Sequence, residues 1–134
     1  MGVIVDTCIW VDVERGRLAP ADIHDLIGAE PVYIAAPVIA ELEYGVYQAK
    51  RKDRRIKRAR SVARIKRKPC IIMDTQTGDI FGKLAAQLFA AGKAPSHRIQ
   101  DLWLASLAVQ HNMQLLTRNE KDFEDIPGLH LLLI

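Results

Sequence analysis

The sequence predicts an α/β fold in which a central, mostly parallel sheet of about five strands is flanked by helices. Short runs that are continuously apolar, such as residues 3–5 and 70–73, are typical of strands buried on both faces of a parallel sheet. Longer segments with apolar residues at helical spacing separate these runs, and this alternation indicates βαβ units. We expect residues 1–134 to form a single domain, since this length is ordinary for one hydrophobic core.

The first half of the chain is predicted to contain two strands and four helices. Thr7 is a candidate N-cap, Pro37 suits the first turn of a helix because no N–H is needed there, and Pro69 ends the last helix. In order, we expect a strand at residues 3–6, a short helix at 7–13, a helix at 20–28, a strand at 32–35, a helix at 37–49 and a basic helix that reaches about residue 67.

The second half is predicted to supply three further strands. Asp74 and Thr75 are suited to cap a helix, and Gly92 is suited to end it. In order, we expect a strand at residues 70–73, a helix that ends at 92, a loop at 93–98, a strongly apolar helix at 100–110, a strand at 114–117, a short helix or turn at 119–125 and a terminal strand at 129–134.

The basic residues are concentrated in one segment. Residues 50–68, which we call the basic arm, hold twelve of the 19 Lys and Arg and a single acid, Asp53. The rest of the chain holds seven bases and fifteen acids. A polyanion is the natural partner for the arm, and a cation is the natural partner for the acidic remainder.

The cysteine count and the apolar runs favour a reduced, cytoplasmic protein. Cys8 and Cys70 are too few for a disulfide framework, and we expect both to behave as small buried hydrophobes. The apolar run at the N-terminus follows no basic segment and ends at Asp6, which argues against a signal peptide. No apolar run reaches the length of a membrane span.

Four carboxylates occur where this fold would bring them together. Asp6 stands at the carboxyl end of the first strand and Asp122 comes shortly after the fourth, at the sheet edge where open α/β sheets bind ligands. Glu41 and Asp101 lie on helix faces whose neighbours are mostly apolar, so we expect both to point toward protein. Glu43, on the other side of its helix, is better placed for solvent.

These carboxylates favour a divalent metal. Oxygen ligands without His or Cys suit Mg²⁺ or Mn²⁺ rather than zinc. Such a metal keeps several waters, so it can activate water and offset charge on the leaving oxygen of a phosphodiester. Taken singly, the residues also have structural explanations, because Asp101 could stabilise a helix dipole and Asn119 could cap a helix.

Four segments in this order resemble the motifs of PIN-domain ribonucleases of the VapC toxin type. They read VDTCIW at residues 5–10, AELEYG at 40–45, QDLWLA at 100–105 and LTRNEKDF at 116–123, and the resemblance covers essentially the whole chain. It implies a PIN-like fold and a Mg²⁺- or Mn²⁺-dependent endoribonuclease that inhibits translation. It also implies a cognate VapB-type antitoxin and, in most relatives, a homodimer.

The resemblance assigns roles to the acids. Asp6, Glu41 and Asp101 match the three core acids of the family. Asn119 stands where some members carry Asp, so either Asp122 completes the site or three carboxylates suffice. We expect Asp6 and Asp101 to hold the metal, and Glu41 and Asp122 to hold its waters, with one of these two accepting a proton.

Other polar residues of the same segments are expected to surround the acids. Thr7 and Thr117 match hydroxyl groups that line the site in relatives of the family. Arg98 and Arg118 flank the acids in sequence, and they would contact a substrate phosphate, contact an antitoxin side chain, or lie on the surface. Mutual repulsion should raise the pKa of some of the acids when metal is absent.

The basic arm is a candidate for binding RNA phosphates, an acidic stretch of the antitoxin, or both, although a solvated helix face is the structural alternative. The arm residues selected for this role are Arg51, Arg54, Arg55 and Arg58. Trp10 and Trp103 are expected to pack in the core or an interface rather than to stack on bases, and His97 is a weaker candidate for a substrate loop.

Two other classes of function fit parts of the pattern. A non-catalytic module would bind nucleic acid or a partner through the basic arm and would leave the acids without a catalytic role, but the presence of all four acids favours the enzyme. A phosphate-accepting receiver domain would need a Lys after the strand at residues 114–117. Arg118 stands there instead, which argues against a receiver.

Overall fold

The structure, a computed structural model, describes residues 1–93 and 98–134. Within these ranges the strands are β1 (Val3–Val5), β2 (Val32–Ala35), β3 (Cys70–Ile71), β4 (Gln114–Thr117) and β5 (His130–Leu133). The helices there are α1 (Thr7–Glu14), α2 (Pro20–Ile27), α3 (Ala36–Gln48), α4 (Lys52–Ile65), α5 (Thr75–Ala90), α6 (Ile99–Gln110) and α7 (Glu120–Phe123). None of these helices combines the length and the apolar character that crossing a membrane requires. Most of the predicted loop at 93–98, including His97, lies outside the described residues.

The strands form one parallel sheet in the order β3-β2-β1-β4-β5. The chain moves outward from β1 through β2 to β3 and then returns to place β4 on the other side of β1. The strand order therefore reverses between β1 and β4, and the crevice at the carboxyl ends of such a pair is where open α/β sheets bind ligands. The predicted α/β fold with a sheet of about five mostly parallel strands is confirmed.

The central strands bury side chains on both faces of the sheet. Ile4 and Leu115 pack on one face with the apolar residues of α5 and α6. Val5 and Leu116 pack on the other face with Ile9 of α1 and with partly buried residues of α2. Successive residues of a strand point to opposite faces, so a strand without polar alternation needs helices on both sides.

The start of α1 and the end of the third strand differ from the predicted ones. A side-chain hydrogen bond determines the first, and the position of the strand at the edge of the sheet determines the second. Asp6, not Thr7, caps α1, and its Oδ1 accepts a hydrogen bond of 2.8 Å from the backbone N of Thr7. Asp74 caps α5 as predicted. The third strand stops at Ile71, since the next residue, Ile72, is 76% exposed beyond the end of this edge strand.

The prediction that both cysteines are buried was wrong. Cys8 is half-buried and Cys70 is exposed, and both are free thiols. Cys70 belongs to β3, and a strand at the edge of the sheet has a neighbour on one side only. The apolar run around it predicted the strand correctly, but a sequence pattern does not reveal which strand lies at the edge.

Candidate active site

The carboxyl ends of β1 and β4 place Asp6 against Thr117. Asp6 is buried, with an exposed fraction of 5%, and its backbone N donates to the carbonyl of Leu116 at 2.9 Å. Its Oδ1 accepts from the backbone N of Thr7, and its Oδ2 accepts from the hydroxyl of Thr117, both at 2.8 Å. These two hydrogen bonds fix the direction of the carboxylate at the switch point of the sheet.

Glu41 approaches Asp6 from α3. The hydroxyl of Thr7 donates to Oε1 of Glu41 at 3.2 Å, which links the start of α1 to α3. Partial burial raises the pKa of the Glu41 carboxyl, the hydrogen bond from Thr7 opposes this, and the charge of Asp6 adds to the rise. Both threonines predicted to line the site therefore contact one of its acids.

The predicted orientation was right for the Glu41 carboxylate and wrong for Glu43. The Glu41 carboxylate faces Thr7 of α1, although much of the residue stays exposed, and Glu43 is only half-exposed. Lys66, in the basic arm, pairs with Oε1 of Glu43 at 3.0 Å. The helical period alone assigned Glu43 to solvent, but the basic arm returns along α3 and supplies it with a partner.

Asp101 lies in the first turn of α6 and is half-buried. Its pKa is raised from 3.8 to about 6, mainly by burial and then by the charges of Asp6, Asp122 and Glu41. The positive charge of Arg98 opposes this rise. The other three predicted acids are thus close enough to Asp101 for their charges to raise its pKa. The expectation that repulsion raises the pKa of some of the acids is confirmed at Asp101.

The two candidates for the fourth acidic position lie at α7. Asn119 occupies the N-cap position of this helix, but its side chain makes no capping hydrogen bond. Its backbone N donates instead to the hydroxyl of Thr117 at 3.1 Å. Asp122 is half-buried and contributes to the raised pKa of Asp101. A role as a helix cap therefore does not account for the Asn119 side chain.

Arg98 connects the beginning of α6 to the segment around α7. Its Nη1 donates to Oδ2 and its Nη2 donates to Oδ1 of Asp125, both at 2.8 Å. Nη2 also donates to the backbone carbonyl of Asp122. The hydrogen bonds from Arg98 are the main reason that the pKa of Asp125 falls to about 2. Arg98 is thus tied to protein groups beside two candidate site acids, Asp101 and Asp122.

Arg118 has a partner that sequence analysis did not single out. Its Nη1 donates to Oδ2 of Asp12 at 2.5 Å, and Arg17 lies 3.8 Å from Oδ1 of the same carboxylate. Asp12 is 6% exposed, on α1. Spacing could not reveal the pair, since Arg118 follows Asp12 by 106 residues. The only local signal was a carboxylate between the apolar residues Val11 and Val13.

The four arginines selected from the basic arm have different surroundings. Arg51 pairs with Asp53 at 3.0 Å. Arg55 donates from Nε and Nη2 to the carbonyl of Ala49, at 3.3 and 3.0 Å. Arg54 and Arg58 instead line a cavity. The structure therefore separates Arg51 and Arg55, which form bonds at the start of α4, from Arg54 and Arg58, which line a cavity.

The tryptophans pack against protein, as predicted. The indole N–H of Trp10 donates to the carbonyl of Val5 at 3.1 Å. The ring of Trp103 stacks on Phe81 with centroids 4.1 Å apart. Each ring therefore contacts protein on at least one side.

The acids of the candidate site influence one another by charge but are not arranged as a preformed metal-binding site. In the part of the chain that the structure describes, no three His, Cys, Asp or Glu side chains lie close enough together to hold a metal ion. The acids nevertheless repel one another, as the pKa of Asp101 shows, and a divalent cation would relieve that repulsion. The donor set is composed of carboxylate oxygens and therefore fits Mg²⁺ or Mn²⁺, with water completing the coordination.

Neutralising Asp101 should stabilise the metal-free protein at neutral pH. A carboxyl whose pKa is higher in the folded chain than in the unfolded chain opposes folding once it ionises, so this cost is absent below pH 3.8 and complete above pH 6. We expect Asp101→Asn to raise the free energy of unfolding by about 1–2 kcal/mol at neutral pH and to leave it nearly unchanged at about pH 3.5. Urea unfolding in EDTA at both pH values measures the effect.

The matched control is Asp79→Asn, on the exposed surface of α5. This substitution removes the same charge and should change the stability at neither pH by more than about 0.5 kcal/mol. A gain of equal size for Asp101→Asn at both pH values would contradict an electrostatic origin.

The chain is similar to known proteins along its whole length. The profile of the family described as PIN domain matches residues 3–129. Ribonuclease VapC1 of Rickettsia felis is 31% identical over 139 residues, covering 100% of this chain and 97% of the relative. Ribonuclease VapC of Rickettsia bellii is 27% identical over 135 residues, with the same two coverages. The crystal structure of VapBC2 from Rickettsia felis bound to a DNA fragment from their promoter superposes with a TM-score of 0.84 at 26% identity, covering 100% of this chain and 99% of that one.

Proposed function

The chain belongs to the PIN-domain family, and from this premise we propose that it is a metal-dependent endoribonuclease, the toxin of a VapBC-type toxin–antitoxin pair. The observation that carries the proposal is the gathering of Asp6, Glu41, Asp101 and Asp122 at the switch point of the sheet, where their charges act on one another. Relatives over the full chain length are named ribonucleases, which supports RNA as the substrate.

The proposed roles of the acids follow from their surroundings. Bound Mg²⁺ or Mn²⁺ would supply an activated water and would offset negative charge on the leaving oxygen. Asp6 and Asp101 are the proposed direct ligands, and the hydrogen bonds from Thr7 and Thr117 hold the Asp6 carboxylate in a constant orientation for that purpose. Fixed ligands reduce the ordering that metal binding requires.

Glu41 and Asp122 are proposed to bind water at the site and to accept a proton from it. Glu41 is the better placed of the two as the base, because water can still reach its partly buried carboxyl and the partial burial raises its pKa. A base works best when its pKa approaches the working pH. Asp122 would then complete the site from α7, with its backbone held by Arg98.

We propose a VapB-type antitoxin as the partner and a homodimer as the assembly, with residues 1–134 acting as one domain. Support for the partner comes from the likeness to the crystal structure of VapBC2 from Rickettsia felis. Cleavage of RNA by the toxin would inhibit translation, and we propose the cytoplasm as its place of action because translation occurs there. Binding of the antitoxin would block these effects.

The test is RNA cleavage by the purified protein with Mg²⁺, with Mn²⁺ and with EDTA. We expect cleavage of total RNA or of a structured transfer RNA in either metal. Cleavage should fall to background in EDTA and return when metal is added in excess, because the carboxylates need a cation to position water. Cleavage that persists in EDTA would overturn the metal dependence. Binding of both RNAs without cleavage in either metal would support the non-catalytic binding module instead.

A further inference from the structure

A strongly basic cleft lies between the end of α1 and the basic arm. It has a volume of about 480 Å³. Six residues line it, and we call them together the basic cleft: Glu14, Arg15, Arg17, Arg54, Lys57 and Arg58. Five of the six side chains are positive and one is negative, so the cavity attracts anions.

The basic cleft shares lining residues with a second cavity, which is lined by one acid of the candidate active site. A smaller cavity of about 90 Å³ shares Glu14, Arg15 and Arg58 with the cleft and is also lined by Glu41. Helix α1 runs from the candidate site to the basic cleft. Thr7 at its start contacts Glu41, and Glu14 at its end lines the cleft. At 1.5 Å per residue these two ends of the helix lie about 10 Å apart.

We propose that the basic cleft binds backbone phosphates of the RNA strand, a short distance along the strand from the bond that is cut. The inference rests on the proposed ribonuclease function. Arg15 and Arg17 supply charge from the α1 side, and Arg54 and Lys57 supply it from α4. Contacts to phosphate give affinity and register on the strand rather than choice of sequence.

Arg58 is prepared for this role by its own hydrogen bond. Its Nη1 donates to the carbonyl of Gly45 at 2.8 Å, and the residue lines both the basic cleft and the smaller cavity. The guanidinium is therefore held in place before a ligand arrives, which lowers the entropy cost of binding. Its position links the phosphate contacts of the cleft to the carboxylate site.

The chemistry of the lining favours RNA over an acidic polypeptide. All six side chains that line the basic cleft are charged, so the cleft itself offers no apolar or aromatic anchor, whereas Trp10, Leu42 and Val62 line the smaller cavity beside it. The centre of a protein interface normally depends on such anchors. A phosphate backbone needs none, because Arg and Lys recognise it by charge and hydrogen bonds alone.

The basic arm provides a matched pair of double variants. Arg54→Ala with Lys57→Ala removes one Arg and one Lys that line the basic cleft. Lys52→Ala with Arg60→Ala removes the same two residue types from the same helix, at exposed positions that line neither cavity. The two variants have equal net charge, so a difference between them reports position rather than charge.

The experiment is fluorescence anisotropy of a short labelled single-stranded RNA, titrated with each protein in EDTA over a range of NaCl concentrations. We expect the cleft variant to bind about tenfold more weakly than wild type at low salt. The slope of log affinity against log salt should become shallower by about 1.4, since each lost contact with single-stranded phosphate removes about 0.7. The control variant should keep the slope within about 0.3 of wild type.

Further arms keep the result interpretable. Arg15→Ala with Arg17→Ala removes charge from the other side of the basic cleft and should reproduce the loss, whether or not α4 is disturbed in the first variant. Thermal unfolding of every variant checks that it is folded. Equal slope changes in the cleft and control variants would overturn the proposal. A parallel titration with polyglutamate tests an acidic polypeptide as the ligand. Cleft variants that bind RNA as wild type does but no longer bind polyglutamate would also overturn the proposal.

Cleavage in Mg²⁺ separates this proposal from the ribonuclease function. If wild type cuts RNA but the cleft variants bind it normally, the cleft assignment fails and the ribonuclease stands. If wild type cuts no RNA and the slope difference is still present, the phosphate-binding cleft stands and the ribonuclease function fails.

Discussion

Asp6→Asn should abolish RNA cleavage and leave the protein folded. An amide oxygen can still accept from the backbone N of Thr7, and the amide NH₂ can donate to the hydroxyl oxygen of Thr117, so both buried hydrogen bonds have a replacement. The negative charge that a divalent cation requires is lost. We expect the cleavage rate in saturating Mg²⁺ to fall by about 10³-fold or more, since even indirect supports of a metal ligand are worth 10- to 100-fold.

The control for Asp6→Asn is Asp79→Asn, which removes a carboxylate from the exposed surface of α5 and should cleave RNA at the wild-type rate. Circular dichroism and urea unfolding establish that the Asp6 variant is folded. A folded Asp6→Asn protein that keeps more than about a tenth of the wild-type rate would show that Asp6 is not a metal ligand.

Phe123→Ala should cause the largest loss of stability among the residues around the site. Phe123 is 1% exposed, belongs to the larger apolar core and lies on α7 directly after Asp122. Removing a buried aromatic ring leaves a cavity and costs about 3–5 kcal/mol. Since whole domains are stable by only about 5–15 kcal/mol, this is a large part of the total. Urea unfolding at neutral pH measures the difference.

Phe89→Ala is the matched control, because Phe89 is 73% exposed on α5. Its free energy of unfolding should stay within about 0.5 kcal/mol of wild type. At temperatures where the Phe123 variant remains folded, cleavage should also decrease, since α7 carries Asp122. A cost below about 1 kcal/mol for Phe123→Ala would mean that α7 is not packed on the core as described.

The strands could be predicted from the sequence because their signal is local. Residues 32–35 and 114–117 were predicted as strands with the bounds that the structure gives them. An uninterrupted apolar run has the same meaning wherever it stands in a parallel sheet, since both of its faces are covered. The N-cap of α1 was misplaced by one residue, from Asp6 to Thr7, because both residue types serve as caps and only hydrogen bonding distinguishes them.

The partners of the charged residues could not be predicted, because they depend on how distant elements meet. Glu43 is paired because Lys66 returns along α3, and Arg118 is paired because β4 lies beside β1 and close to Asp12. Charge density correctly marked the basic arm as unusual. It did not separate Arg55, which bonds the carbonyl of Ala49, from Arg54, which faces the basic cleft.

The sequence by itself determined the α/β class, the succession of strands and helices along the chain, and the residue types of the candidate site. Apolar periodicity and carboxylates at strand ends are local patterns, which can be recognised in a few consecutive residues. Only the tertiary structure decided that β1 and β4 are neighbours, and with that the hydrogen bond between Asp6 and Thr117, 111 residues apart. It also decided the raised pKa of Asp101 and the position of Glu41 in a cavity that shares lining residues with the basic cleft. Burial, repulsion and cavities arise between segments that are far apart in the chain, so no local pattern contains them.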